Sequence, residues 1–139
     1  DYDMYHDDIL RLADLINLRP FNRIYGIHKG GLIVACHVAY ILDNNVRVLP
    51  LYKGVDDNYY MHNNKHGKLT YMSDNKLTKN DIIIDDIYDT GKTYKDAKAN
   101  FPEATFAFLY AKKDVPDNKT NICAAMIRTM DYIVLPYQT

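Results

Sequence analysis

Residues 82–93, Ile-Ile-Ile-Asp-Asp-Ile-Tyr-Asp-Thr-Gly-Lys-Thr, decide the fold of this chain. The three consecutive isoleucines indicate a strand that is buried on both faces, as in a parallel sheet. Two carboxylates follow, Asp85 and Asp86, and then a Thr/Gly turn that opens a helix over 92–100. A strand, a tight turn and a helix in this order predict part of a βαβ unit.

The turn after this strand has the chemistry of an anion site. Backbone N–H groups at a helix N-terminus carry the positive end of the helix dipole, and Thr90 and Thr93 add hydroxyl donors. In open parallel sheets, ligands bind beyond the carboxyl ends of the strands. The adjacent carboxylates favour sugar hydroxyls or a hard cation such as Mg²⁺. The alternative is an acidic turn that merely caps the helix. A P-loop is excluded, because Asp86 stands where that motif needs a glycine.

Strand and helix patterns alternate on both sides of this segment. Apolar residues at helical spacing predict a helix over about 4–18. A second predicted helix, over about 31–43, is apolar nearly all round, so we expect it to be buried, with Cys36 as a small buried hydrophobe. The segment 53–74 is polar and predicts a long loop, either a functional lid or a disordered segment, with a short edge strand over 68–72. The other predicted strands are 23–27, 46–52, 81–86, 104–111 and 132–135.

These elements predict an α/β fold with a mainly parallel sheet flanked by helices, in a single domain over 1–139. The composition narrows the function: 17 basic residues balance 18 acidic ones, which argues against a nucleic-acid binder that works by bulk charge. The apolar runs are far shorter than the roughly 18 residues of a membrane span. We therefore expect no contact with membranes. Two cysteines cannot form a disulfide framework, so we expect a protein of the reducing cytoplasm.

Residues 82–93 resemble the signature of the type I phosphoribosyltransferase family: apolar residues, two acids, a spacer, then Asp/Thr-Thr-Gly-x-Thr. Three apolar residues precede the acids here, where the family has four. A second segment, Ile-Tyr-Gly-Ile-His-Lys-Gly-Gly-Leu over 24–32, is similar to the family's pyrophosphate loop. The resemblance implies a phosphoribosyltransferase-like core with a small hood. It also implies phosphoribosyl pyrophosphate as substrate, Mg²⁺ as cofactor, and a homodimer or higher homo-oligomer.

The resemblance also implies the role of each site residue. Asp85 and Asp86 would hold the ribose hydroxyls and the metal, and Asp89 would act as the catalytic base. The segment expected to bind ribose and the 5′-phosphate comprises Asp85, Asp86, Asp89, Thr90, Gly91, Lys92 and Thr93. Pyrophosphate would be bound by Lys29, Gly30 and Gly31. The family often has a cis peptide before the two glycines of this loop, so we expect one at His28–Lys29.

The C-terminal third is similar to that of small 6-oxopurine phosphoribosyltransferases. Lys112 looks like the lysine that contacts the purine 6-oxygen in those enzymes, while Tyr132 and Ile133 look like the residues that stack on and border the base. The expected reaction is transfer of the 5-phosphoribosyl group to a 6-oxopurine in purine salvage. The sequence alone does not decide between Lys112 and Lys113, and Tyr132 is equally consistent with a core aromatic residue.

Two rival functions stay open. One is a phosphoribosyltransferase for another base, namely orotate, uracil or adenine, and the other is a non-catalytic, nucleotide-sensing regulator on the same fold. The sequence also departs from the family pattern at two places. Gln138 stands where a carboxylate near the metal is usual, and the predicted lid over about 53–68 has Tyr59-Tyr60 in place of a Ser-Tyr pair.

Overall fold

The computed structural model describes residues 2–42, 46–53, 59–63, 68–71 and 76–127. It contains three helices and seven strands in that part of the chain. The helices are α1 (Tyr2–Asn17), α2 (Gly30–Leu42) and α3 (Lys92–Asn100). The strands are β1 (Arg23–Ile27), β2 (Val48–Lys53), β3 (Tyr59–Asn63), β4 (Lys68–Tyr71), β5 (Asp81–Tyr88), β6 (Thr105–Ala111) and β7 (Ile122–Met126).

The strands form one sheet in the order β4-β3-β2-β1-β5-β6-β7. Five of them, β2, β1, β5, β6 and β7, are parallel, and β3 and β4 join antiparallel beyond β2. The predicted α/β fold with a mainly parallel sheet is therefore confirmed. Strand β5 lies between β1 and β6, which explains why its first residues form a continuous apolar run.

Two apolar clusters cover the two faces of the sheet. The first lies under α1 and α2 and includes Ile9, Val34, Ile82 and Ile84. The second lies under α3 and includes Ile83, Tyr94, Phe106 and Phe108. Helix α1 follows its predicted amphipathic spacing, since Tyr5, Ile9, Leu12, Ala13 and Ile16 are all buried. Helices on both faces shield the sheet and leave its strand ends open for a site.

The structure corrects several expectations. Helix α2 buries one face, and its Cys36 is exposed, because this side of the helix points away from the sheet. The segment 53–74 contains β3 as well as the predicted edge strand β4, because pairing of β3 with β2 and β4 overrides its polar composition. Strand β7 was missed, because its Ile-Cys-Ala-Ala-Met sequence is strand-forming only beside β6. The predicted strand over 132–135 lies outside the described residues.

The described helices include none that is both long and apolar enough to cross a membrane.

Candidate active site

Strand β5 is longer than predicted and carries both carboxylates inside it. Asp85 is buried, at 7% exposure, and Asp86 is half-buried. The strand was predicted over 81–86, but β5 continues to Tyr88, and Asp85 is therefore buried inside the strand. The Asp85 Oδ1 atom accepts the Asp86 N–H at 2.9 Å, and the Asp86 Oδ1 atom accepts the Ile87 N–H at 2.9 Å. The acidic pair thus binds its own backbone.

The two carboxylates lie in an environment that resists double ionisation. Burial raises the pKa of Asp85 well above its usual range, and the neighbouring Asp86 carboxylate raises it further. A bound cation or a set of hydroxyl donors would relieve this cost, because each stabilises the ionised form. The acidic pair is therefore suited to a cationic or hydroxyl-rich ligand.

The turn between β5 and α3 has the backbone of an anion cradle. Gly91 has φ of 91°, in the left-handed region that favours glycine, and helix α3 begins at Lys92. The first helical hydrogen bond runs from the Lys95 N–H to the Gly91 carbonyl at 2.9 Å. The N–H groups before Lys95 therefore lie in the first turn, where they have no acceptor within the helix, and the Lys92 N–H donates to the Thr90 Oγ1 atom at 3.3 Å. Asp89, Thr90, Lys92 and Thr93 are exposed around this turn.

The first turn of α2, which follows the loop after β1, packs directly against the backbone of β5 at Asp85. A Cβ atom on Gly31 would lie 2.4 Å from the Ile84 carbonyl oxygen and 2.9 Å from the Asp85 Cα atom. Only a residue without a side chain permits this approach. The same loop contains the expected cis peptide at His28–Lys29 and presents an exposed Lys29 beside a half-buried Gly30. The two segments that resemble phosphate-binding motifs therefore meet at one edge of the sheet.

The end of β6 adds two lysines to the same edge. The Lys112 Nζ atom lies 3.5 Å from the Asp89 Oδ2 atom, and its side chain is 18% exposed. The Lys113 Nζ atom donates to the Thr90 carbonyl oxygen at 2.9 Å. Lys112 is thus the lysine that pairs with the turn's carboxylate, and Lys113 is bound to the turn's backbone. Which of the two lysines contacts a base stays a prediction.

This chain is similar to known proteins in sequence and in fold. The chain is 31% identical over 113 residues to a xanthine-guanine phosphoribosyltransferase of Chromohalobacter salexigens, a match that covers 81% of this chain and 67% of the relative. The chain belongs to the phosphoribosyltransferase family. A xanthine-guanine phosphoribosyltransferase of Idiomarina loihiensis is 32% identical over 95 residues, covering 66% of this chain and 56% of the relative. The chain thus spans about two thirds of one relative and just over half of the other.

A solved structure shares the fold of this chain. A crystal structure of purine phosphoribosyltransferase from Pyrococcus horikoshii superposes with a TM-score of 0.67 at 22% identity, and the match covers 100% of this chain and 91% of that one. No protein-family model matches the chain.

The phosphoribosyltransferase motif does not identify every residue that lies near the acidic pair and the turn. Tyr88, Tyr94 and Phe108 line a small cavity of about 50 Å³ together with Asp85 and the turn. Their rings pack edge to face, with centroids 5.2 Å apart for Tyr88 and Phe108. The only sequence signal for Tyr94 was its position directly after the turn. Three aromatic rings therefore form the wall behind the acidic pair.

Some predicted site residues cannot be placed. Tyr132, Ile133 and Gln138 lie outside the described residues, and so do 54–58 and 64–67 of the predicted lid. The described part of the chain holds no group of three or more His, Cys, Asp or Glu side chains that could bind a metal. Mg²⁺ needs fewer protein ligands, because it keeps several waters and binds through one or two carboxylates plus substrate phosphates. Asp85 and Asp86 fit that limited role.

Proposed function

We propose that this protein transfers the 5-phosphoribosyl group from phosphoribosyl pyrophosphate to a 6-oxopurine, giving a nucleoside monophosphate and pyrophosphate. The observation that carries the proposal is the Lys112–Asp89 ion pair, 3.5 Å long, at the mouth of the anion cradle. A donor-only lysine beside a carboxylate matches a base that offers a carbonyl oxygen and an ionisable ring nitrogen. The family assignment and the xanthine-guanine relatives support the same substrate class.

The roles proposed for the cradle follow from its donors. The 5′-phosphate would bind to the backbone N–H groups and hydroxyls of the segment from Asp89 to Thr93, at the positive end of α3. The ribose hydroxyls would donate to the oxygens of Asp85 and Asp86. Lys29 and the N–H groups of Gly30 and Gly31 would bind the pyrophosphate. Gly31 lies against the Asp85 backbone, so the two anionic ends of one substrate would be held on either side of the carboxylates.

The reaction breaks the bond between ribose C1 and pyrophosphate and forms a bond from C1 to a purine ring nitrogen. Positive charge develops on the ribose ring, as in glycoside transfer, and negative charge on the leaving pyrophosphate. Lys29 would stabilise the leaving group. Asp89 is 58% exposed and would accept the proton that the purine loses from its imidazole ring. Lys112, released from Asp89, would donate to the purine 6-oxygen.

We further propose that Asp85 and Asp86 hold Mg²⁺ together with the substrate. The ion supplies charge neutralisation for the pyrophosphate when bound. The carboxylates are hard oxygen ligands in an environment that disfavours two uncompensated charges, which supports this assignment. A single domain over 1–139, a cytoplasmic location and a homodimer or higher oligomer remain predictions. Light scattering after size-exclusion chromatography measures the oligomeric state.

A base panel tests the proposed function. The purified protein is assayed with phosphoribosyl pyrophosphate, Mg²⁺ and each of hypoxanthine, guanine, xanthine, adenine, uracil and orotate. We expect turnover of 6-oxopurines and poor use of adenine, because an amino group facing an ammonium leaves both donors unpaired at about 1–3 kcal/mol. Preference for adenine, uracil or orotate would contradict the base assignment. Binding of the sugar phosphate without turnover of any base would instead favour a regulator.

Two variants refine the test of the base site. Lys112→Ala should lower kcat/KM for 6-oxopurines by about 10–150-fold, which corresponds to the loss of a charge-assisted hydrogen bond of about 1.5–3 kcal/mol. Ribose 5-phosphate binding should be nearly unchanged, because Lys112 contacts the carboxylate of Asp89 and not the turn's backbone. Lys113→Ala is the matched control and should keep the base preference of the wild type. A loss confined to Lys113→Ala would show that Lys113 is the base-reading lysine.

A further inference from the structure

A buried hydrogen-bond network connects the segment before β7 to the first turn of α3. Asn121, which is 6% exposed, donates from Nδ2 to the Tyr94 hydroxyl at 3.1 Å and to the Pro116 carbonyl oxygen at 3.1 Å. Its Oδ1 atom accepts the Phe106 N–H at 2.9 Å. The Tyr94 hydroxyl in turn donates to the Asp117 Oδ2 atom at 3.0 Å. The Asn121 amide is therefore bound at both ends and cannot rotate freely.

Tyr94 carries this network to the anion cradle. It directly follows Thr93, is 7% exposed and lines the small cavity beside Asp85 and the turn. Its ring packs edge to face on Phe106, with centroids 4.9 Å apart, and contacts Tyr88 and Phe108 at 6.0 and 6.1 Å. The ring fixes the depth of Tyr94 in the second cluster. The two hydrogen bonds of the hydroxyl fix the orientation of the Tyr94 side chain, because apolar ring contacts alone are not directional.

We propose that Asn121 and Tyr94 are positioning residues that hold the first turn of α3, and with it the phosphate donors, at a fixed place relative to Asp85. This proposal rests on the proposed function, since it assigns the positioned donors to the 5′-phosphate. Anion binding at a helix N-terminus needs several N–H groups to converge on one ligand. A displacement of about 1 Å is enough to lower the rate by a factor of roughly 10² in a positioned site.

A second buried tyrosine, Tyr110, serves as a control whose role is purely structural. Tyr110 is also 7% exposed, and its hydroxyl donates to the Asp8 Oδ2 atom at 2.8 Å. It belongs to the first cluster, under α1 and α2, on the opposite face of the sheet from Tyr94. Tyr110→Phe and Tyr94→Phe therefore remove the same group from sites of equal burial. They differ because only the Tyr94 hydroxyl belongs to the hydrogen-bond network that reaches the anion cradle.

The experiment compares these two variants with the wild type. Tyr94→Phe should raise KM for phosphoribosyl pyrophosphate and the Kd of ribose 5-phosphate, measured by calorimetry, by about 3–10-fold, because the hydroxyl that bonds Asn121 and Asp117 is lost. KM for the purine base should stay unchanged. Tyr110→Phe should leave all three constants unchanged while lowering the Tm, because it loses only its bond to Asp8. Asn121→Ala, if it folds, should match Tyr94→Phe, and the double variant should not add to it.

Each outcome bears on the proposal. Equal constants for Tyr94→Phe and wild type, or equal shifts in Tyr94→Phe and Tyr110→Phe, would overturn it. A higher Kd for ribose 5-phosphate in Tyr94→Phe, in a protein that turns over no base, would support the positioning role and contradict the proposed activity. A wild-type protein that does not bind ribose 5-phosphate would overturn both.

Discussion

Replacing Gly31 with alanine adds one methyl group at the contact between the first turn of α2 and the backbone of β5 at Asp85. The new Cβ atom would lie 2.4 Å from the Ile84 carbonyl oxygen and 2.9 Å from the Asp85 Cα atom. A carbon–oxygen contact needs about 3.3–3.6 Å, so the two segments must separate by roughly 1 Å. Ile84 is fully buried and pairs with Gly26 and Ala107, so β5 cannot yield. The loop and the start of α2 must move instead.

This displacement has two separate consequences. Overpacking of this kind costs about 1–3 kcal/mol, which lowers the Tm by roughly 4–12 °C in a domain of this size. A shift of about 1 Å in the pyrophosphate loop should also lower kcat/KM for phosphoribosyl pyrophosphate by a factor of roughly 10². Thermal unfolding measures the first effect. Steady-state kinetics at a temperature where the variant is fully folded measures the second.

Val38→Ala is the control, because it lies two turns further along the same helix and is fully buried in the first cluster. Its loss of packing should destabilise the fold by a similar amount, about 1–3 kcal/mol, without pushing the loop from β5. We expect Val38→Ala to keep the wild-type kcat/KM while Gly31→Ala loses it. Equal kcat/KM in Gly31→Ala and the wild type would refute the idea that this contact sets the distance between the two motifs.

Two further predictions concern the acidic pair and the turn. Asp85→Asn should raise the Tm of the ligand-free protein at neutral pH and abolish binding of the Mg²⁺–sugar phosphate complex in calorimetry. Because the folded pKa of Asp85 is raised, wild-type stability should fall as pH rises from about 4 through that pKa, and Asp85→Asn should lack this fall. Gly91→Ala should cost about 1–2 kcal/mol in urea unfolding, because alanine is strained at φ of 91°, and Gly91→Asn should cost less.

The sequence predicted the parts of the fold that are determined locally. Helix α1 and strand β5 follow from hydrophobic spacing and from a run of three isoleucines, and both are formed, with β5 extending two residues beyond its predicted end. Strand β7 could not be found this way, because alanine and cysteine form a strand there only through pairing with β6. The exposure of Cys36 was also missed, since a helix that is apolar all round does not reveal which face the sheet covers.

The candidate site likewise has one part that the local sequence predicts and another that depends on the folded chain. The turn over 89–93 was predicted because its residues are contiguous, and local chemistry identifies an anion cradle. The choice between Lys112 and Lys113 depends on where the end of β6 lies relative to Asp89, which is a tertiary property. Asn121 gave no signal at all, because its partners are distant in the sequence: Phe106 is 15 residues away and Tyr94 is 27. Positioning residues of this kind become visible only in the folded chain.

The acidic pair lies inside a continuous strand whose side chains do not alternate regularly between the two faces of the sheet. Ile84 and Ile87 both contact the first cluster, although residues three apart in a regular strand point to opposite faces. The ladder between β5 and β6 pairs Asp85 with Phe108 and Ile87 with Tyr110, and the two carboxylates accept the N–H groups of Asp86 and Ile87. Each carboxylate therefore binds an N–H group of its own strand. Asparagine keeps one such acceptor and alanine keeps none, so asparagine variants separate ligand binding from folding and alanine variants do not.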